Sequence, residues 1–195
     1  MKRSQKRIAK YENLAKAYVS SYTHGTPAFV RMLPTDRCNL HCLYCWQHNN
    51  TSTDMTMASF QAHLEKAKEL SVGLLTFLGG EPMIWNPLPD AVALCTEQHV
   101  LTDLTTNGTL LTSDTIEELG KAGLDYLNIS VDGASASSVT SKISIFQSGM
   151  MEALKEARRK HGMHTRINSV IYKNNFDEIW TLIEFAKQHD IQLSL

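Results

Sequence analysis

Along most of this chain, short apolar runs alternate with segments of helical periodicity. This alternation most constrains the fold, because strands that follow one another through helices of this length run parallel. Six strands are expected, at residues 28–33, 74–78, 100–105, 124–131, 164–172 and 191–195. Five helices are expected between them, at residues 56–70, 87–98, 112–122, 145–161 and 175–188. The sequence therefore predicts an α/β fold, and either an open sheet or a closed barrel satisfies the pattern.

Two of these helices have recognisable first residues. Thr112 or Asp114 is expected to cap the helix at residues 112–122, because a side-chain oxygen there accepts bonds from the exposed N–H groups of the first turn. Residues 175–178 read Asn-Phe-Asp-Glu, which predicts a capping box at the start of the last helix. The beginnings of both helices are thus predicted from local sequence.

The composition is that of an ordinary globular protein, with 43% hydrophobic and 20% charged residues in a chain of 195. A chain of this length can bury a substantial core within one domain. No apolar stretch reaches the roughly 20 residues that a membrane helix needs, and the N-terminus has no apolar signal core. Three of the four cysteines stand in ligand spacing and not in a disulfide framework, so we expect a reducing, cytoplasmic location.

Charge is unevenly distributed, although the net charge is only −1. Residues 1–20 carry six basic side chains against Glu12, which makes this segment +5 and the remainder −6. We expect residues 1–24 to form a basic helical arm and residues 25–195 to form the core domain. Nucleic-acid binding is not expected, because the body of the chain is not basic. Apolar residues at helical spacing are expected to dock the arm and leave its charges in solvent: Ile8, Tyr11, Ala15, Tyr18 and Val19.

Three cysteines follow the first expected strand, as Cys38, Cys42 and Cys45 in a C-x3-C-x2-C pattern. Three thiolates can hold three irons of a four-iron, four-sulfur cluster, which leaves the fourth iron open to another ligand. The alternative is a structural zinc site, which would need a fourth ligand such as His41 or His48 to close its tetrahedral shell. The remaining cysteine, Cys95, lies on an expected helix and is predicted to be a buried core thiol.

A second motif, Gly79-Gly80-Glu81-Pro82, follows the second expected strand. Two glycines allow backbone to approach a ligand closely, and a carboxylate just beyond them can meet an ammonium group. An ordinary glycine turn is the alternative. Thr106-Asn107-Gly108 and Asp132-Gly133 likewise end the third and fourth strands, so the polar motifs collect at the carboxyl ends, where α/β barrels place function.

The cysteine spacing and the Gly-Gly-Glu-Pro motif together resemble the radical S-adenosylmethionine (radical SAM) superfamily. The resemblance implies an α/β fold, a partial parallel (β/α)6 barrel, which in this chain ends at the sixth strand. It also implies that S-adenosylmethionine chelates the open iron through its amino and carboxylate groups. An electron from the cluster then cleaves S-adenosylmethionine to a 5′-deoxyadenosyl radical that abstracts hydrogen from a substrate. The electron donor implied is a reduced flavodoxin or ferredoxin.

The same resemblance assigns roles to individual residues. Cys38, Cys42 and Cys45 are implied as the cluster ligands. The residues implied to contact S-adenosylmethionine are Tyr44, Gly79, Gly80, Glu81, Ser130, Asp132 and Asn168. Gly79, Gly80 and Glu81 would meet its methionine part, Tyr44 the adenine and Ser130 the ribose or carboxylate. The alternatives are packing over the cluster for Tyr44, loop capping for Asp132 and satisfaction of buried backbone for Asn168.

Within the superfamily, the sequence resembles the molybdenum-cofactor A protein and the peptide-modifying (SPASM-type) group. The resemblance covers residues 28–195 and includes Thr105-Thr106-Asn107-Gly108 and Arg166-Ile167-Asn168. Arg31 and Arg166 match positions that hold a nucleotide triphosphate in the cofactor-synthesis enzyme, but Thr76 stands where that enzyme has a further arginine. The chain also has no C-terminal extension with an auxiliary cluster. These departures argue against the same reaction.

The expected sixth strand is followed by no helix, which would leave a sheet edge uncovered. We therefore expect a partner chain or a missing C-terminal segment to complete the site. Two functional hypotheses follow from the sequence. The first is a radical SAM enzyme that acts on an unidentified small molecule or peptide. The second is a non-catalytic or incomplete metal-binding barrel module that acts as an assembly partner.

Overall fold

A computed structural model describes residues 3–45, 51–135, 142–173 and 175–195. Its described residues form one six-stranded sheet in the order β1 to β6, and every neighbouring pair is parallel. The strands are β1 (Phe29–Met32), β2 (Leu74–Phe77), β3 (Leu101–Thr106), β4 (Tyr126–Ser130), β5 (His164–Asn168) and β6 (Gln192–Ser194). The predicted parallel α/β fold is confirmed, and β1 and β6 are the two edges of this partial barrel.

Among the described residues, one helix precedes β1 and each later helix connects two successive strands, as the alternation in the sequence predicts. They are α1 (Arg3–His24), α2 (Met57–Glu69), α3 (Leu88–Glu97), α4 (Ser113–Ala122), α5 (Met150–His161) and α6 (Ile179–His189). None of the helices in the described ranges combines the length and hydropathy needed to cross a bilayer. Thr112 is the N-cap of α4, and its side chain and that of Thr115 bond each other's backbone N–H groups.

The two faces of the sheet differ in chemistry because successive side chains of a strand point to opposite sides. Apolar side chains on one face join the helices in the main core, as Leu75, Phe77, Leu104, Leu127 and Ile129 do. Cys95 of α3 is fully buried in this core, as predicted. The alternate positions form a polar inner face. Its two main rows across the sheet are Arg31, Thr76, Asp103 and Tyr126, and then Thr105, Asn128, Arg166 and Gln192.

Two helix starts differ from expectation. Helix α5 begins at Met150 and not at residue 145, because residues 144–146 form a separate 3₁₀ turn and Gly149 precedes the helix with a φ of 79°. The capping box predicted at residues 175–178 is wrong. The Asn175 amide donates to the carbonyls of Asp132 and Val170 instead, and residues 176–178 form a 3₁₀ turn before α6 begins at Ile179.

Strand β5 is also shorter than the expected 164–172. Its pairing ends at Asn168, with Ser169 N–H donating to the Ser194 carbonyl, and the Val170 N–H donates to the Asp132 carboxylate at 3.1 Å. The Asp132 side chain, just beyond β4, therefore replaces a strand carbonyl as the acceptor for the Val170 N–H. The segment after β5 consequently turns toward the strand ends instead of continuing as a strand.

The arm docks through the face opposite to the predicted one. The apolar residues expected to face the core, Ile8, Tyr11, Ala15, Tyr18 and Val19, are all exposed. Lys10 and Ala17 are buried instead, with Lys10 only 2% exposed. The lysine is buried because its Nζ lies 2.6 Å from the Asp125 carboxylate and also donates to the Thr96 hydroxyl and the Gly123 carbonyl. The division into an arm and a core domain stays a prediction.

Candidate active site

The cysteine loop follows β1 and is anchored by its first residues. The Thr35 hydroxyl donates to Asp54 Oδ1 at 2.7 Å, and Arg37 Nε donates to the same oxygen at 2.9 Å. These bonds hold the pKa of Asp54 below its usual range, the Arg37 contact having the larger effect. Cys42 is buried, whereas Cys38 and Cys45 are half-buried. The structure thus presents the three thiols on one anchored loop at the carboxyl end of β1.

Gly79 and Gly80 lie against this loop. The Gly80 N–H donates to the Thr35 carbonyl at 2.9 Å, and the Glu81 N–H donates to the Arg37 carbonyl at 2.8 Å. A Cβ atom on either glycine would come closer than 3.0 Å to one of those two carbonyl oxygens, and Gly79 has a φ of +133°. The glycines therefore allow the second motif to cross the cysteine loop at backbone contact, which an ordinary turn would not require.

Glu81 lies beneath that crossing and is only 1% exposed. Its carboxylate accepts bonds from the Thr106 hydroxyl at 2.7 Å, the Asn107 N–H at 2.7 Å and the Met83 N–H at 3.0 Å. Burial raises the pKa of Glu81, and these three donors oppose the shift. The carboxylate thereby joins the ends of β2 and β3. Its predicted contact with an ammonium group stays a prediction.

Asn107, at the end of β3, extends toward the first cysteine. Its amide nitrogen lies 2.8 Å from Asn39 Oδ1 and 3.9 Å from Cys38 Sγ, and the Leu40 N–H lies 3.4 Å from the same sulfur. Burial raises the pKa of the Cys38 thiol, whereas these donors lower it. N–H groups directed at a sulfur stabilise a thiolate ligand and tune a bound cluster. The strand-ending motif marks Asn107 in the sequence, but nothing there indicates its contact with Cys38.

Tyr44 joins the cysteine loop to the end of β4. Its hydroxyl donates to the Asp132 carboxylate and accepts a bond of 2.7 Å from Lys142 Nζ, which lies 3.5 Å from Asp132. The Tyr44 ring packs against Tyr172 at a centroid distance of 5.9 Å. Burial and the Asp132 carboxylate raise the pKa of Tyr44. Lys142 was missed in the sequence because it belongs to no motif and to no periodic segment.

Ser130 and Asn168 complete the predicted set of contact residues. They are paired neighbours across β4 and β5, and Asn168 is paired in turn with Ser194 of β6. Both side chains are half-buried on the inner face, in the last paired row of β4 and β5. The fold therefore brings every predicted site residue to the carboxyl ends of the strands. Their roles in binding a cofactor stay predictions.

The donor set fits an iron–sulfur cluster. Three thiols on one loop, with N–H groups directed at Cys38, suit a cluster that takes three cysteine ligands. Within the described ranges, no group of three or more His, Cys, Asp and Glu side chains, the three cysteines included, is placed to hold a single metal ion. Of the fourth ligands considered for zinc, His41 is exposed and His48 lies outside the described residues. Cys38, Cys42 and Cys45 are the residues that would hold the cluster.

Comparison with known proteins yields one family. The family model of the Radical SAM superfamily matches residues 32–186. A PqqA peptide cyclase of Granulibacter bethesdensis is 28% identical over 158 residues, which are 78% of this chain and 42% of that protein. A GTP 3',8-cyclase of Syntrophomonas wolfei is 33% identical over 178 residues, which are 85% of this chain and 53% of that protein.

Among solved structures, SuiB of Streptococcus suis bound to the precursor peptide SuiA matches 92% of this chain and 42% of its own. The TM-score is 0.68 at 24% identity, which is a likeness of fold. The chain spans about half the length of the curated relatives it matches. Members of the matched family use a four-iron, four-sulfur cluster with S-adenosylmethionine and take electrons from a reductant. As its two motifs predict, the chain belongs to the Radical SAM superfamily.

Proposed function

We propose that this chain is the core of a radical SAM enzyme that abstracts hydrogen from a small-molecule or peptide substrate. When bound, the cluster and S-adenosylmethionine supply the electron and the 5′-deoxyadenosyl radical for that step. Cys38, Cys42 and Cys45 hold the cluster. The observation that carries the proposal is the backbone crossing of the cysteine loop by Gly79 and Gly80, because it joins the two motifs at one end of the sheet.

The residues around that crossing bind and orient the cofactor in this proposal. Gly79, Gly80 and Glu81 meet the methionine part, and Tyr44 meets the adenine. Ser130, Asp132 and Asn168 line the side formed by β4 and β5. Support comes from their common position at the carboxyl ends of the strands, where barrels of this class build their sites.

The division of the chain and its surroundings are further parts of the proposal. Residues 1–24 act as an arm on a core domain of residues 25–195. The electron donor is a reduced flavodoxin or ferredoxin, and a partner chain or a further segment completes the site beside β6. The free thiols favour the cytoplasm, where cysteines stay reduced and available to iron. Family membership does not favour the alternative of a non-catalytic assembly module.

The test is anaerobic reconstitution of the chain with iron and sulfide, followed by dithionite and S-adenosylmethionine. We expect iron and sulfide to be bound in cluster proportions and 5′-deoxyadenosine to form, as measured by chromatography and mass spectrometry. Cys42→Ala removes a ligand and should abolish both. Cys95→Ala is the matched control, because its thiol is also buried but lies in the helix-packed core.

Two results would contradict the proposal. One is zinc in place of iron in anaerobically purified protein. The other is a wild-type chain that carries the cluster but yields no more 5′-deoxyadenosine than Cys42→Ala. Loss of iron in Cys95→Ala to the level of Cys42→Ala would show that thiol loss alone disturbs the fold, and would remove the support that Cys42→Ala lends to the ligand assignment.

A further inference from the structure

The inner face carries a buried ion pair midway along its strands. Asp103 of β3 is 7% exposed, and its Oδ2 accepts a bond of 2.7 Å from Arg166 Nη2 on β5. Asn128 of β4 lies between them: its amide donates to Asp103 Oδ1, and its carbonyl oxygen accepts from Arg166 Nε at 2.7 Å. Three adjacent strands therefore hold one closed polar network.

The Arg166 guanidinium is held from a further side. It lies over the Tyr126 ring at 5.0 Å from the centroid, and the Tyr126 hydroxyl is 2.9 Å from that of Tyr11 on α1. The guanidinium thus has a carboxylate, an amide and an aromatic face as neighbours. A side chain with these contacts is committed to one position and has little freedom to turn toward an incoming ligand.

Charge on this side of the sheet is nearly balanced by pairing. Arg166 is paired with Asp103, and Lys142 at the rim lies 3.5 Å from Asp132. Among the ion pairs of the described residues, none includes Arg31, which is exposed on the edge strand β1. A polyphosphate carries several negative charges and needs several cations that are available to it.

Binding of such an anion to Arg166 would have an electrostatic cost. The anion would have to displace Asp103 from the guanidinium, which leaves a buried carboxylate without its cation. It would also place like charges next to each other in a partly desolvated space, where their repulsion is strong. A ligand without net charge meets no such penalty, because hydroxyl and amide groups fill the other positions of the two rows, apart from Arg31 at the exposed edge strand.

We propose that Asp103 determines substrate specificity by neutralising Arg166, so that the inner face excludes polyanions and takes an uncharged, hydrogen-bonding substrate such as a polypeptide segment. The inference rests on the proposed function, because it places the substrate on the inner face beside the cofactor.

The test is to titrate the protein with sodium tripolyphosphate at low ionic strength and to measure binding by isothermal titration calorimetry. We expect no Arg166-dependent binding by the wild type. Asp103→Asn keeps the shape and removes the charge, so Arg166 becomes available to the anion. We expect it to bind tripolyphosphate at least about tenfold more tightly, the size of a gained charge-assisted hydrogen bond. The double variant Asp103→Asn and Arg166→Gln should lose this increase in affinity for tripolyphosphate.

Asp90→Asn on α3 is the matched control, because it removes the same charge from an exposed position outside the inner face. If Asp103→Asn does not fold, Asp103→Ser replaces it. Equal affinity of the Asp103 and Asp90 variants would overturn the inference, and so would wild-type binding that Arg166→Gln abolishes. The titration needs neither iron nor S-adenosylmethionine, so a failure of the proposed function leaves its outcome interpretable.

Discussion

Glu81 is a carboxylate that the fold keeps from water, and its pKa is raised by burial above the ordinary value of 4.5. A raised pKa means that the folded state binds the proton more tightly than the unfolded state. The stability that Glu81 contributes is therefore fully present below pH 4.5 and is lost as the pH rises through the pKa of the folded protein. The loss is smaller than burial alone would cause, because the three hydrogen-bond donors favour the ionised carboxylate.

We predict a pH-dependent difference between the wild type and Glu81→Gln, which cannot ionise. The free-energy advantage of the wild type in urea unfolding should be greatest near pH 4 and should shrink as the pH rises, because only the wild type must bury a charge. Unfolding curves measured in parallel across that range give the comparison. An advantage that stays constant or grows with pH would show that burial does not dominate the titration of Glu81.

Lys142 is the cation of the Tyr44–Asp132 contact, and the side chain of Asp132 has no solvent exposure. Removing a buried carboxylate's cation costs more than the pair contributes, because the charge stays behind. We predict that Lys142→Met lowers the free energy of unfolding by about 3 kcal/mol. Lys142→Arg keeps the positive charge and should therefore retain most of the wild-type free energy of unfolding. Urea unfolding checks both, and equal losses would contradict an electrostatic origin.

At the scale of elements, α1 is held to the core by one buried lysine more than by its apolar residues. Lys10 donates to Thr96 in the last turn of α3 and to Gly123 and Asp125 in the segment before β4. Asp125 also accepts from the Thr102 N–H at 2.9 Å. Gly73 lets the helix come close, because a Cβ there would lie closer than 3.0 Å to Leu14 Cα. The helix is thereby fixed across the amino ends of the strands.

We predict that Lys10→Met destabilises the protein by about 3 kcal/mol, because Asp125 would stay buried without its cation. Lys16→Met is the matched control on the exposed side of the same helix and should change stability by less than about 0.5 kcal/mol. Thermal and urea unfolding of both variants give the measurement. Similar effects of the two substitutions would mean that the ion pair does not hold α1.

A second prediction at the scale of elements concerns the place where Gly79 and Gly80 cross the cysteine loop. Gly80→Ala places a methyl group against the Arg37 carbonyl, so the cysteine loop must move and iron loading should fall severalfold. Gly149→Ala is the control: its φ of 79° strains an alanine by about 1 kcal/mol, but no atom lies within 4 Å of the added methyl. The amount of iron per chain after anaerobic reconstitution distinguishes the two variants. Normal iron loading of Gly80→Ala would show that the crossing does not determine the position of the cysteine loop.

At the scale of the whole molecule, the sheet separates two ends with different chemistry. The amino ends of the strands carry α1 and the Lys10–Asp125 pair, and the carboxyl ends carry the cysteine loop and the Tyr44–Asp132–Lys142 cluster. Parallel barrels commonly divide stability and function in this way. The two ion pairs share no residue and belong to opposite ends of β4.

We predict that the losses of stability in Lys10→Met and Lys142→Met add within about 0.5 kcal/mol in the double variant. Only Lys142→Met should also weaken S-adenosylmethionine binding to the reconstituted protein, because it alone disturbs Tyr44. Urea unfolding and equilibrium binding test the two statements separately. A coupling of more than about 1 kcal/mol would show that the two ends are not independent.

The sequence by itself determined the parallel α/β class, because the period of the apolar residues reports the local element and the spacing of the elements implies parallel strands. It also determined the family, since the C-x3-C-x2-C and Gly-Gly-Glu-Pro motifs are each short local patterns that can be recognised without knowing the fold. It did not determine the exact ends of elements. Helix α5 begins only after the left-handed Gly149, and before α6 the Asn175 amide donates to the carbonyls of Asp132 and Val170.

The tertiary structure alone decided which charged and polar side chains meet. Lys10 and Asp125 lie 115 residues apart, Tyr44 and Lys142 lie 98 apart, and Asp103 and Arg166 lie 63 apart, so no local pattern reports their contact. Apolar periodicity predicted the wrong buried face of α1, because it does not count a lysine that is buried through an ion pair with a carboxylate on another element. Periodicity measures burial of apolar surface, whereas ion pairing depends on where the folded chain returns.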